Sequence, residues 1–287
     1  MKNKSLPYVF IALFYSLQAS ANPCGDALIA GKYEEAMKHG EMDSSHDGHL
    51  CVVRAYLALG KPEDALSRLI SVEKLSSTPY EKMLTATYQG RAAKAMGDTA
   101  SAIRYFRQAA ALAAENRQKQ AQWFNLNELG QIQMEGQDAK SSLESFLKAY
   151  TFAANDNERS ESSQLIASAY KALNDMDRAI EYQLKSTILE KRSGEVENYV
   201  NAVLELAELR IANKELVAAE KNVKEVASIT SNANSDYWSA RTFYAVAKLE
   251  YAKGNVDAYR RARDEARLYA GKSGNKALQG RVESLKE

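Results

Sequence analysis

The feature that most restricts what this chain can become is that it repeats itself. Tyr88, Gly90 and Met96 precede a Gly97-Asp98 turn, and Ala102, Ile103, Phe106 and Ala109 follow it. Leu126, Leu129 and Gly130 then precede Gly136-Gln137-Asp138, with Ser142, Leu143, Phe146 and Ala149 after it. Looser copies surround these two. Val53 and Tyr56 precede Gly60-Lys61, Ala65, Leu66 and Leu69, while Ile166, Ala167 and Tyr170 precede Asn174-Asp175, Ala179, Ile180 and Tyr182. Leu206 and Ala207 lead into Asn213-Lys214, Ala219, Val223 and Val226, and Val246, Ala247 and Tyr251 lead into Gly254-Asn255 and Ala262. The anchoring small residue falls at 65, 102, 142, 179 and 219, in steps of 37, 40, 37 and 40. Each unit is a helix, a short turn and a second helix. One such hairpin cannot bury its own apolar stripe, so neighbours must stack and share a continuous core.

This pattern resembles the tetratricopeptide repeat: a small residue inside the first helix, a Gly/Asn-Asp/Lys turn, then a small-aromatic-small stripe on the second. It departs from that family in its period, usually 34, and in Ser142, which stands where alanine is usual. The resemblance implies an all-α, right-handed superhelical solenoid of about six to seven hairpins over residues 22–270, with 271–287 as a capping or partly disordered tail. Composition agrees on helix. Ala, Leu, Glu, Lys and Gln are abundant, only 4 prolines occur, and no stretch alternates long enough for a strand. Gly90, Gly130 and Ala167 are expected where helix axes approach closely, with Phe106 and Phe146 filling the space. Tyr33–Met37 is read as the second half of a truncated first unit whose first helix starts at Cys24.

Residues 1–21 have the layout of a secretory signal. Lys2 and Lys4 precede an apolar run from Leu6 to Leu17, and Ala19-Ser20-Ala21 supplies small residues for cleavage. The run is short for a membrane span, which needs about 20 residues. Loss of Lys2 and Lys4 would turn the formal charge from +1 to −1, a balance that gives nucleic acid no basic face. Cys24 and Cys51 would then sit in an oxidising compartment, where an even, close pair reads as a disulfide; two buried free thiols are the alternative. The absence of Asn-x-Ser/Thr after residue 21 and the lean cysteine content suit a periplasm or secretion.

No catalytic motif stands out: there is no Gly-x-Ser-x-Gly, no phosphate-cradling glycine loop and no His-Glu-x-x-His. The expectation is a non-enzyme without cofactors. All three histidines lie within 39–49. His46 and His49 would share a helix face and form a feasible metal pair, but His39–His49 is also simply what a polar interhelix loop looks like, and no metal site is expected. In repeats of this kind the first helices line a concave groove. Matching positions put Arg54, Thr87, Arg91, Lys94, Asn127, Gln131, Gln164, Ser168 and Lys171 on it. That set is amide-rich and mildly cationic, as an extended peptide would require. The family's carboxylate clamp for chaperone tails is not implied, because Leu50 and Arg54 replace its Lys and Asn. The reading is therefore an exported adaptor for a protein or peptide partner. A self-associating scaffold of an envelope complex is the alternative, and an N-terminal metal binder a further one.

Overall fold

The structure is a computed structural model that describes residues 23–231 and 235–285. The signal expected over residues 1–21 lies outside the described residues. Among the described residues there are fifteen helices and no strand. They fall into two compact units that divide between Ala154 and Asn155.

The N-terminal unit holds four hairpins: α1 (Pro23–Ile29) with α2 (Tyr33–Glu41), α3 (His46–Ala58) with α4 (Pro62–Leu75), α5 (Pro79–Met96) with α6 (Thr99–Glu115), and α7 (Lys119–Glu135) with α8 (Ala139–Tyr150). The C-terminal unit holds three, α9 (Asp156–Ala172) with α10 (Met176–Ser193), α11 (Val196–Ala212) with α12 (Leu216–Thr230), and α13 (Asp236–Lys253) with α14 (Val256–Ser273). A further helix, α15 (Lys276–Glu283), packs on α14 and α13, burying Leu278 and Val282 against Ala240, Ala266 and Ala270.

The hairpin turns share one chemistry. A residue with left-handed backbone follows each first helix, and it recurs at Gly31, Gly60, Gly97, Gln137, Asn174, Lys214 and Gly254. Asp98, Asp138 and Asp175 follow three of these and accept a hydrogen bond from the amide three residues on, capping the second helix. At Gly136-Gln137 the sequence offers a glycine for the strained position, yet Gly136 has φ −78 and Gln137 has φ 62. The register of the Asp138 cap fixes which residue turns left-handed, and it falls one beyond the glycine. Gln137→Gly should therefore stabilise the protein by about 0.5–1 kcal/mol, by removing a left-handed penalty that only glycine escapes. A higher urea midpoint at unchanged slope would show it.

Within the α5–α6 and α7–α8 hairpins the core is set by close approach. Phe106 and Phe146 are buried, and their rings lie over Gly90 and Gly130. A Cβ on Gly130 would stand 2.5 Å from Phe146 Cε1, so the position tolerates no side chain while the ring stays. Ser142 explains its own departure from the repeat: its buried hydroxyl donates to the Gly130 carbonyl at 2.7 Å. That bond joins α8 to α7 where an alanine would only make contact.

Cys24 and Cys51 form a disulfide, with Cα atoms 6.4 Å apart, that ties α1 to α3. Ala27, Leu28, Ala36 and Ala55 complete a small core around it.

Candidate functional site

Within each unit first helices meet, α1 with α3, α3 with α5 and α11 with α13, and polar side chains also join α5 to α7. This decides which groove candidates remain available. In the N-terminal unit Thr87 and Asn127 are buried. The Thr87 hydroxyl sits 3.0 Å from the Met83 carbonyl and 3.1 Å from Asn125 Oδ1, so it is engaged between α5 and α7. Lys94 Nζ donates to Glu128 Oε2 at 2.8 Å, with Gln131 Oε1 at 3.5 Å. Its charge is spent on the neighbouring helix. Arg54, Arg91 and Gln131 are half-buried. The Arg91 guanidinium lies 5.4 Å from the Tyr88 ring centroid.

In the C-terminal unit, Ser168 and Lys171 are exposed. Gln164 instead turns toward the second helix of its own hairpin: its amide donates to Ser186 Oγ on α10 at 3.0 Å. There it joins a buried cluster of Ser160, Ser186 and Glu190.

The histidines are placed differently from a loop. His39 lies in the last turn of α2, and His46 is the first residue of α3. Gly48 lies against Asp43 and Gly40 against Gly48 and Val52, so the segment is a tight helix crossing. His46 is buried with Nε2 3.1 Å from Thr85 Oγ1. His49 is held below the ordinary histidine value, first by burial and then by the Arg68 guanidinium. A cavity of about 220 Å³ beside the disulfide is lined in part by His39, Asp43 and Asp47. Among the described residues no three His, Cys, Asp or Glu side chains are grouped so as to hold a metal ion.

The densest polar site on a first-helix face is one that the sequence reading passed over, on α11 and α13. Glu208, buried, accepts Lys248 Nζ on Oε2 at 2.8 Å and Arg281 Nη2 on Oε1 at 2.6 Å. Glu205 Oε1 lies 3.3 Å from Arg241 Nη2 and 3.9 Å from Arg281 Nη1. Arg241 also reaches Asn201 Oδ1. The signal was present: extending the register of Arg91, Gln131 and Ser168 by two more units lands on Glu208 and Lys248. Burial alone would raise the Glu208 carboxyl, but the attraction of Arg281 and then Lys248 outweighs it and holds the group below its ordinary value. A depressed folded value means stabilisation that is complete above the unfolded value of about 4.3 and is lost as pH falls through the folded one. Acidification below about pH 4 should therefore loosen α15, seen as faster amide exchange at residues 276–283 while α13 stays protected.

Comparison with known proteins agrees with this architecture. The tetratricopeptide repeat family model matches residues 89–116 and 160–190. A search of curated proteins finds no significant match. Among solved structures, the apo form of RapI superposes with a TM-score of 0.75 at 15% identity, covering 91% of this chain and 78% of that one. A signal transduction ATPase with a tetratricopeptide repeat sensor, from Pyrococcus horikoshii, gives 0.78 at 15% identity over 92% of this chain. This chain spans only 42% of that protein's length. Pseudomonas aeruginosa PilF gives 0.58 at 18% identity, covering 84% of this chain and 97% of that one. At such identities the likeness is one of fold. Among the described residues no helix is long and apolar enough to cross a membrane.

Proposed function

We propose that this chain of tetratricopeptide-like repeats is an exported, non-enzymatic adaptor that holds a protein or peptide segment on the face of its first helices. Repeats of this kind generally serve as protein-interaction scaffolds without catalysis. One observation supports the binding mode most. Arg54 and Arg91 on α3 and α5 are half-buried, and among the described residues neither is paired with a carboxylate. Lys94, Arg241 and Lys248 on the same kind of face are each consumed by a neighbouring Glu. Two half-buried guanidinium groups without a carboxylate partner suit carboxylates or backbone carbonyls of an extended ligand. Export, with release after Ala21 into a periplasm or the medium, rests on the sequence of residues 1–21. A mature protein beginning at Asn22 in the extracytoplasmic fraction is the expected finding.

The test of binding is crosslinked recovery from envelope extract, comparing wild type with Arg54→Glu/Arg91→Glu and with Arg107→Glu on the exposed side of α6 as control. Lys94 is left alone, because reversing it would set two carboxylates together at Glu128. The double reversal should lose the partner at least tenfold (about 1.4 kcal/mol), with the control unchanged. Equal recovery by all three would remove the first-helix face as the binding surface. Recovery of the bait alone would favour a self-associating scaffold.

A further inference from the structure

The last helix occupies a place that a ligand could take. Arg281 leaves α15 and reaches the first-helix face of α11 and α13, where Glu208 Oε1 lies 2.6 Å and Glu205 Oε1 3.9 Å from its nitrogens. Its guanidinium carbon stands 5.0 Å from the Tyr244 ring centroid. The Lys248 ammonium already holds Glu208 Oε2, so the position left to Arg281 is one that spans Glu208 Oε1 and Glu205 Oε1 before the Tyr244 ring, which suits a planar, forked cation. The helix that delivers this group is short and holds its place through tertiary contacts. It has 8 residues, far below the length at which a helix persists alone in water. It follows a left-handed Gly274 and is anchored by Leu278 and Val282.

We propose that Glu205, Glu208 and Tyr244 form an arginine-binding subsite, and that α15 is its intramolecular occupant, displaced by an arginine-bearing segment of the partner. This rests on the reading that first-helix faces hold protein segments. It adds a ligand class for one of them and a tail that competes for the site. A partner segment gains the subsite only by supplying a guanidinium to replace Arg281.

The test uses the full chain and a labelled peptide of residues 275–285 as probe. Arg281→Ala should bind the peptide at least tenfold more tightly than wild type. A peptide with its arginine replaced by alanine should lose that gain, and one with lysine should lose most of it. Hydrogen exchange should quicken across 276–283 in Arg281→Ala while α13 and α14 keep their protection. If alanine loosens α14, Arg281→Lys should give a smaller gain in the same direction. Equal binding by wild type and variant, or a gain indifferent to the peptide's arginine, would overturn the proposal. Neither result bears on Arg54 and Arg91, which lie in the other unit, so failure here is distinct from failure of the adaptor reading.

Discussion

Phe146→Ala is expected to cost about 3–5 kcal/mol, the range for deleting a fully buried aromatic ring. The ring fills a space that exists only because Gly130 has no side chain, and helix axes held at that separation cannot collapse to close the void. The same geometry predicts a coupling. Gly130→Ala alone puts a methyl 2.5 Å from the ring and should destabilise the hairpin. Combined with Phe146→Leu, the two costs should sum to less than their separate values, because the smaller side chain makes room for the methyl. Urea unfolding followed by helical circular dichroism gives all four corners of that cycle. Strict additivity would mean that Gly130 and Phe146 do not share one packing unit.

Reduction of the Cys24–Cys51 bond should have the second largest effect, and a local one. The pair is separated by 27 residues, a loop whose closure is worth about 3–4 kcal/mol in the chain-entropy model. α1 has only 7 residues, so without the bond it depends on Ala27 and Leu28 packing beneath α2. Under reductant, or in Cys24→Ser/Cys51→Ser, amides across 23–41 should exchange rapidly while α5 to α8 stay protected. Uniform loss of protection throughout the N-terminal unit would show instead that the end hairpin nucleates the rest.

The repeat was legible in the sequence because packing imposes it residue by residue. Where two helix axes touch, only a small side chain fits, and that demand returned at Ala65, Ala102, Ser142, Ala179 and Ala219 in the register that the structure shows. The disulfide was readable from cysteine arithmetic, with free thiols as its alternative. The groove was harder to read. Helical register can say which way a side chain leaves its own helix, but not what a neighbour offers it. Thr87 and Asn127 are buried, and Thr87 finds Asn125 on the next helix; Gln164 is drawn to Ser186 on the paired one. Polar side chains between stacked helices satisfy one another, so amide-rich composition alone does not mark a binding face. The His39–His49 stretch looked like a loop because its residues are polar. Its glycines decide otherwise, letting α2 and α3 cross where His46 is buried against Thr85. The Arg281–Glu208 pair joins residues 73 apart, a contact no local pattern announces.

The most direct test of the adaptor reading is site-specific photocrosslinking in the producing cell, with one photoreactive residue placed at Arg91 or Gln131 on first helices, or at Arg107 or Lys140 on second helices. A partner captured from positions 91 and 131 but not from 107 and 140 is the predicted result. Capture from 107 and 140 alone, with 91 and 131 silent in a folded protein, would contradict it and move the interaction to the second-helix face.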